Sequence, residues 1–337
     1  MNGPVRVAVD AMGGDRGSEE IVAGAVEAAS SSIQPILYGP RGLDTQGLAH
    51  VEAPDTIDMH EKPVEAVRAK PNSSLVAACR SVGDNEADAV VSAGNTGAML
   101  AASLFHIRRL AEVDRPAIAV ILPTKDGPSV LLDSGANADA RPEHLFQFAQ
   151  MGTIFAEELL EIQNPDVRLL SIGEEPEKGN QLTLEAHALL AASDLRFGGN
   201  IESRHLLSRA GDVVVCDGFT GNICLKALEG TIKTLMEGLR EEIRSSTRGK
   251  IGGLLIRSAA RQLRDRLDPD TYGGAYLLGL RGLAVIAHGN SSRTAIANAI
   301  RLAARGVEHR LVDRLGERLR ATVLASARPE TPSPQAR

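Results

Sequence analysis

The sequence contains no tryptophan and only 3 tyrosines and 6 phenylalanines among its 337 residues. Proteins that hold single-stranded nucleic acids commonly stack the bases on aromatic side chains. The formal net charge of −6 also provides no generic surface for a polyanion. The composition therefore argues against nucleic acid as a partner and is compatible only with local basic patches.

Cysteines and long apolar runs are scarce as well. The three cysteines, at positions 79, 216 and 224, show no C-x-x-C spacing, which fits a reducing compartment better than a disulfide framework. No apolar run approaches the roughly 20 residues that a membrane-spanning helix needs. The first residues lack the charged-then-apolar layout of a signal peptide. The sequence thus predicts a soluble, cytoplasmic protein.

Short apolar runs alternate with segments of helical periodicity along most of the chain. Runs such as residues 5–9, 89–92 and 213–216 are rich in valine without strict polar alternation, which is typical of strands buried on both faces. Strands that alternate with helices indicate βαβ units. We therefore predict an α/β fold, a single three-layer α/β/α domain over residues 1–326 with a mainly parallel, Rossmann-like sheet. A disordered tail is expected at 327–337.

Residues 223–268 depart from this alternation, because two helical segments follow each other around a glycine-rich hinge at 249–253. We predict a protruding helical hairpin inserted in the domain. Its second helix has apolar residues on one face and Arg257, Arg261 and Arg264 on another. Such a basic amphipathic helix can lie on an anionic membrane. Packing on the protein body or on a second subunit explains the same pattern, and spacing alone favours packing.

Six predicted strands end in turns made of glycine, asparagine, aspartate, threonine and serine. In an open parallel sheet such turns lie at one edge, where ligands bind. Their small residues let backbone N–H groups approach an anion closely. Any single turn has a steric explanation, but the set predicts a site for a phosphate-like oxyanion, with the DGFTGN turn of residues 217–222 at its centre. The six turns follow Val9, Ser92, Leu132, Ile172, Cys216 and Ala287.

Several common motifs are missing from the sequence: G-x-G-x-x-G after the first strand, G-x-x-x-x-G-K-[ST], H-E-x-x-H and G-x-S-x-G. Asp10, Asp133 and Asp217 follow apolar strands and have the chemistry to hold Mg²⁺. Carboxylates at such positions more often accept hydrogen bonds from the turns, so no metal is predicted. His288 lies in one of the turns and is interpreted as a structural histidine.

Lys178 stands apart from the other charged residues in the turns. It lies between Pro176 and Gly179 in a strand-to-helix turn that is otherwise acidic. A single cation on a flexible stem can hold a phosphate or an oxyanion. A solvated loop lysine explains the residue equally well.

The turns also carry a resemblance that covers nearly the whole chain except the tail. The sequence resembles the fatty acyl-ACP:phosphate acyltransferases, the PlsX family of bacterial phospholipid synthesis. The shared segments occur in the family's order. They include VDAMGGD at 9–15, SAGNTGA at 92–98, RPEHL at 141–145, KGN at 178–180, DGFTGN at 217–222, YGGA at 272–275 and AHG at 287–289.

The resemblance implies a reaction in which inorganic phosphate attacks the thioester of a long-chain acyl group on acyl carrier protein. It also implies a homodimer without a cofactor, and a fold related to phosphate acetyltransferases and the isocitrate dehydrogenase group. Family members act at the inner, cytoplasmic face of the cell membrane. They pass acyl phosphate to a membrane glycerol-3-phosphate acyltransferase, so peripheral association with an anionic membrane surface is expected.

The resemblance also assigns roles to residues. Lys178 would supply charge and Asn222 an amide donor to the oxyanion, while Leu254, Leu255 and Ile256 would contact the membrane. One local departure, Asn290 before Ser291 and Ser292, leaves the role of those serines open. A phosphate acetyltransferase-like enzyme that uses a CoA thioester, and a non-catalytic phosphate-binding protein, remain as alternatives. The residues expected to bind phosphate or substrate are Gly13, Gly14, Asp15, Asn95, Thr96, Gly97, Asn137, Thr220 and Gly221.

Overall fold

The computed structural model describes residues 3–125, 127–208, 211–267 and 273–326, so the predicted tail at 327–337 lies outside it. Strands and helices alternate through most of this range, as predicted. The strands are β1 (Val5–Asp10), β2 (Ile33–Gly39), β3 (Ala49–Glu52), β4 (Ala89–Ser92), β5 (Ala117–Thr124), β6 (Gly127–Leu132), β7 (Val167–Ser171), β8 (Phe197–Glu202), β9 (Val213–Val215), β10 (Ala275–Leu278) and β11 (Leu283–Ile286). The helices are α1 (Ser18–Ala28), α2 (Pro63–Ala69), α3 (Ser74–Gly83), α4 (Thr96–His106), α5 (Pro142–Leu159), α6 (Gln181–Ala191), α7 (Gly218–Ser245), α8 (Thr247–Leu255), α9 (Arg257–Leu267), α10 (Arg293–Glu308) and α11 (Leu311–Ser326).

All the strands form one sheet in the order β3-β2-β1-β4-β11-β10-β5-β6-β9-β7-β8. The first five strands in this order are parallel to one another, and so are the last four. Between them lie three antiparallel pairings, β11 with β10, β10 with β5, and β5 with β6. The sheet is mainly parallel, as predicted, but an odd number of reversals makes its two parallel groups run in opposite directions.

The register of the sheet brings the carboxyl ends of both groups together. One row across the sheet passes through Val9, Val91, Val285, Tyr276, Ala119, Leu132, Val215 and Leu169. Strands β1, β4 and β11 end one residue beyond this row, and β6 and β9 end on it from the opposite direction. The prediction of one shared edge is therefore wrong in that form, because the turns meet along a line in the middle of the sheet.

Helices cover both faces of the sheet. On β1, Val7 and Val9 belong to the hydrophobic cluster that includes residues of α1, α10 and α11, while Ala8 between them belongs to the cluster with residues of α2, α3 and α4 on the other face. This alternation follows from the pleat, which points successive side chains to opposite sides. It accounts for the uninterrupted apolar runs in the sequence and confirms the three-layer α/β/α architecture.

The predicted hairpin consists of three helices, α7, α8 and α9, and residue 268 at its predicted end lies outside the described residues. The chain turns at Ser246, whose hydroxyl accepts a hydrogen bond of 3.0 Å from the Gly249 N–H and caps α8. The predicted hinge at 249–253 is wrong. Gly249 and Gly253 lie within α8 and allow it to pack closely on Ile243 of α7.

Candidate active site

The turns after β1 and β4 are joined through a buried carboxylate. The Ser92 hydroxyl donates to Asp10 Oδ2 at 2.7 Å and accepts from the Gly94 N–H at 3.0 Å. A Cβ on Gly13 would lie 2.4 Å from Asp10 Oδ2 and 2.7 Å from the Gly94 nitrogen. Only glycine fits at this point, and burial raises the pKa of the Asp10 carboxyl. Asp10 thus holds the two turns together as a structural group.

The next turn leads into the amino-terminal end of α4. Asn95 Oδ1 accepts from the Ala98 N–H at 3.0 Å, so Asn95 is the helix cap. Its amide donates to the carbonyl oxygens of Met59 at 3.0 Å and Glu61 at 3.1 Å. The Asn95 side chain is therefore engaged within the protein. The N–H groups of Thr96 and Gly97, two residues that are exposed or partly exposed, lie in the first turn of α4 at the positive end of the helix dipole.

A second buried carboxylate organises the turn after β6. Asp133 Oδ1 accepts from the N–H groups of Ile118, Gly135 and Ala136, each at 3.0 Å. Oδ2 accepts from the Asn137 backbone at 2.7 Å and from its side-chain amide at 2.9 Å. Burial raises the pKa of Asp133, but five N–H donors require an acceptor and favour the ionised form. These bonds occupy the lone pairs that a metal ion would need.

The start of α7 is packed directly on this turn. The Gly218 N–H donates to the Asn137 carbonyl at 2.8 Å. A Cβ on Gly221 would lie 1.9 Å from the Asp133 carbonyl oxygen, so only glycine allows this approach. Asn222 follows at once and is exposed, with its side chain within 4 Å of the point where a Cβ on Gly135 would stand.

Asp217 caps α7 and binds Thr220 through both of its carboxylate oxygens. Asp217 Oδ1 accepts from the Thr220 N–H at 2.9 Å, and Oδ2 accepts from the Thr220 hydroxyl at 2.7 Å. The carboxylate thus has the turn-orienting role that the sequence favours over metal binding. The Thr220 hydroxyl is used for this cap, so Thr220 contributes to the site by fixing the first turn of α7.

Lys178 lies in the turn after β7, the strand that pairs with β9. Its main chain is anchored, because its N–H donates to the Glu175 carbonyl and its carbonyl accepts from the Ser171 hydroxyl, both at 3.0 Å. The side chain is exposed, and its stem crosses Gly173. Within the described part of the chain the ammonium group forms no ion pair. Lys178 and Asn222 therefore belong to turns on neighbouring strands.

The turn after β11 links the two groups of turns. Lys226 Nζ on α7 lies 3.0 Å from His288 Nε2, and Lys226 also pairs with Glu229 at 2.9 Å. On the other side, the Asp15 N–H donates to the Gly289 carbonyl at 2.7 Å. Sequence reasoning missed Lys226, although its position one helical turn after Asn222 was an available signal.

Several other residues that the sequence singled out have local structural roles. Ser292 caps α10, and Ser291 is buried. Gly14 has a φ of 129°, which favours glycine in the turn after β1. Gly97 lies against Pro63, where a Cβ would meet a ring carbon at 2.5 Å. No cluster of three or more potential metal ligands occurs among the residues that the structure describes.

The predicted membrane contact lies at the far end of the hairpin. Leu254, Leu255 and Ile256 are 70%, 81% and 48% exposed at the junction of α8 and α9. Arg257 and Arg261 follow on α9 and line a groove of about 660 Å³ with residues of α7. No helix in the described ranges is long and apolar enough to cross a membrane.

Solved structures share the architecture of this chain. A branched-chain phosphotransacylase from Enterococcus faecalis V583 aligns with a TM-score of 0.60 and 16% identity, covering 90% of this chain and 99% of that one. A phosphotransacetylase from Streptococcus pyogenes aligns with a TM-score of 0.57 and 16% identity, covering 90% and 94%. At this identity the likeness establishes the fold alone.

Sequence comparisons identify the family. The family model described as "Fatty acid synthesis protein" matches residues 5–314. A protein named phosphate acyltransferase from Desulfitobacterium hafniense (strain DSM 10664 / DCB-2) is 45% identical over 326 residues, which cover 94% of this chain and 98% of that protein. One of the same name from Pelotomaculum thermopropionicum is 47% identical over 319 residues, covering 92% and 93%. The chain therefore belongs to the phosphate acyltransferase (PlsX) family of acyltransferases, which confirms the resemblance of its turns.

Proposed function

We propose that this protein transfers a long-chain fatty acyl group from acyl carrier protein to inorganic phosphate. The product, acyl phosphate, would serve phosphatidic acid synthesis. One observation carries the proposal: the amino-terminal ends of α4 and α7 and the unpaired Lys178 follow strands that end on one row of the sheet or within two residues of it. Two helix dipoles and one ammonium group suit two anionic reactants.

The reaction needs little covalent chemistry from the protein. An oxygen of hydrogen phosphate attacks the thioester carbonyl carbon, and the carbonyl oxygen becomes an oxyanion. The C–S bond then breaks, the acyl–oxygen bond remains, and the proton of the phosphate passes to the sulfur to give the free thiol. The phosphate is itself the nucleophile, so the protein acts by holding both reactants together and stabilising the oxyanion.

Lys178 and Asn222 are the proposed catalytic residues. The exposed Asn222 amide would donate to the oxyanion, and the Lys178 ammonium would balance the negative charge. The Asn95 side chain caps α4, and the Thr220 hydroxyl donates to Asp217, which caps α7. We therefore assign positioning roles to Asn95 and Thr220. The first-turn N–H groups that these caps leave open, those of Thr96 and Gly97 on α4 and of Phe219 on α7, would bind phosphate, together with the turn at Gly13 and Gly14.

The hairpin supports two further parts of the proposal. Leu235 and Leu239 on α7 are 67% and 46% exposed, which suits coverage by a second subunit in a homodimer. The apolar tip at 254–256, followed by Arg257, suits an anionic membrane at the inner face of the cell membrane. There the acyl phosphate would reach a glycerol-3-phosphate acyltransferase.

A thiol-release assay tests the reaction. We expect holo carrier protein to appear from palmitoyl-carrier protein only when phosphate is present, with acyl phosphate formed in equal amount. Release from acetyl-CoA alone would favour a phosphate acetyltransferase-like enzyme, which the shared fold makes the second candidate. Absence of turnover with either thioester, in protein that binds phosphate, would favour a non-catalytic binding protein.

A further inference from the structure

A cluster of arginines lies at the carboxyl-terminal end of α4, away from the turns described above. We call Arg68, Arg108, Arg109 and Arg281 the basic patch. Leu104, Leu110 and three of these arginines line a surface depression of about 340 Å³. The fourth, Arg68 on α2, lies with its guanidinium 5.6 Å from the centre of the exposed Phe105 ring. The patch thus combines positive charge with exposed apolar surface.

The charges of the basic patch are not neutralised by the protein. Within the described residues, none of its four arginines forms an ion pair with a carboxylate. Arg109 and Arg281 donate to the backbone carbonyls of Val113 and Arg109, while the neighbouring Glu112 is held by Arg320 at 2.9 Å. The protein as a whole has a net charge of −6, so this cluster is a positively charged region on a negatively charged protein. Such a region suits an acidic partner.

Helix α4 connects the basic patch to the candidate active site. Gly97, Leu100 and Leu104 are three and four residues apart, so they lie on one face of the helix, and all three are partly or largely exposed. Helix α4, Thr96–His106, is about 15 Å long at the rise of an α-helix, and Arg108 and Arg109 follow shortly after its end. A partly covered apolar stripe therefore runs from the turn at Asn95 to the basic patch, with Leu100 packed on the core and Gly97 on Pro63.

The exposed apolar surface continues at the active-site end of this stripe. Met59 and Val64 are 39% and 46% exposed. The Met59 carbonyl accepts from Asn95, and Pro63 lies against Gly97. Pro63 therefore covers the Gly97 end of the stripe, while Met59 and Val64 keep exposed apolar surface beside the site.

We propose that the basic patch docks acyl carrier protein through acidic side chains of that protein, and that the phosphopantetheine arm runs from there towards the amino-terminal end of α4. This inference rests on the proposed function. The partner is a small acidic protein whose thioester must reach a site some distance from the surface that binds the protein itself. A basic patch at one end of α4 and the site at the other meet that requirement, and Leu104 and Phe105 provide apolar contact beside the charges.

Charge reversal of two arginines tests the docking surface. Arg68 and Arg108 hold no hydrogen bond through their guanidinium groups within the described residues, so Arg68→Glu with Arg108→Glu breaks no hydrogen bond or ion pair and removes only the contact of Arg68 with the Phe105 ring. We expect KM for acyl carrier protein to rise at least tenfold. Values of kcat, KM for phosphate, and turnover of a palmitoyl thioester of free pantetheine should stay within twofold of wild type.

A matched control carries the same change of net charge. Arg196 and Arg204 flank β8, at the other edge of the sheet from β3, and both are exposed. Arg196→Glu with Arg204→Glu should leave KM for the carrier protein unchanged. Raising the ionic strength should increase KM for the carrier protein in wild type. The increase should be much smaller in the Arg68/Arg108 variant, because salt screens the charges that this variant has lost.

The outcomes separate this inference from the proposed function. If wild-type protein does not use palmitoyl-carrier protein at all, the proposed function fails and the docking inference with it. If wild type turns over and the Arg68/Arg108 variant matches the control in KM, the docking inference alone is overturned. It is also overturned if the variant changes its sedimentation or its binding to anionic liposomes while KM for the carrier stays the same, since the patch would then face a second copy or a membrane.

Discussion

Gly221 on α7 lies directly against the main chain of Asp133, so that a Cβ on Gly221 would stand 1.9 Å from the Asp133 carbonyl oxygen. Asp133 in turn holds the 134–137 turn through four hydrogen bonds and accepts a fifth from Ile118 on β5. The first turn of α7 and the turn after β6 therefore form one unit. The position of Asn222 depends on a glycine that precedes it and on a carboxylate that is remote in the sequence.

Gly221→Ala should destabilise the protein and displace Asn222. The new methyl group meets backbone, which cannot move aside as a flexible side chain could, and overpacking of this kind costs about 1–3 kcal/mol. We expect the free energy of unfolding in urea to fall by about 2 kcal/mol and turnover to fall at least tenfold. Gly230→Ala, in the same helix with no atom within 4 Å, is the control and should be neutral or stabilising. Equal stability of the two variants would contradict the packing argument.

Lys178→Ala and Asn222→Ala should each lower turnover at least tenfold, which corresponds to about 1.4 kcal/mol of transition-state stabilisation. Lys178 stands exposed and unpaired, so its loss removes charge without breaking an ion pair. Glu177→Ala, in the same turn, should keep normal turnover. Unfolding curves should match wild type in all three variants. Near-normal activity of both Lys178→Ala and Asn222→Ala would remove these residues from the catalytic assignment.

Leu254→Glu with Ile256→Glu should abolish binding to anionic liposomes and spare turnover of dissolved substrate. The two residues are exposed at the junction of α8 and α9, where two added negative charges would oppose an acidic membrane surface. The control is Val51→Glu with Leu189→Glu, which places the same charges on two exposed apolar residues of the main domain. Liposome flotation measures the binding. If the first variant still floats with the liposomes as wild type does, the hairpin tip packs on protein rather than contacting the membrane.

The buried thiols should take no part in turnover. Burial raises the pKa of Cys79 to about 12 and that of Cys216 well above its ordinary value, so neither is a thiolate at neutral pH. We expect iodoacetamide at pH 7.5 to leave both unmodified in folded protein and to react with both in urea, as peptide mass spectrometry would show. An acyl group trapped on Cys216 during turnover would contradict direct attack by phosphate.

The strands, the turns and the family were accessible from the sequence for physical reasons. A strand buried on both faces requires an uninterrupted apolar run, as in residues 213–215, and a close approach of backbone requires glycine, as at Gly13 and Gly221. These local requirements leave a pattern of residue types at particular positions. The roles of Lys178 and Asn222 came from the resemblance of those patterns and stay predictions.

Other features depend on contacts that no local pattern encodes. The opposite direction of the two strand groups follows from three successive antiparallel pairings, β11 with β10, β10 with β5 and β5 with β6, and the pairing of β10 with β5 joins segments far apart in the chain. Asparagine at 95 suits either a helix cap or a ligand contact, and only its contacts with Met59 and Glu61 decide between them. The turn of the hairpin at Ser246, rather than at the glycines of α8, likewise depends on packing against Ile243.

The sequence by itself determined the composition of each turn at a strand end, because close approach of backbone to an anion or to another turn admits few residue types. Only the tertiary structure decided which turns meet, since the register of an eleven-stranded sheet places Val9, Leu132 and Val215 in one row. It also assembled the basic patch, because the packing of α4 against α2 and β11 brings Arg68 and Arg281 close to the adjacent Arg108 and Arg109. Long-range pairing decides such proximity.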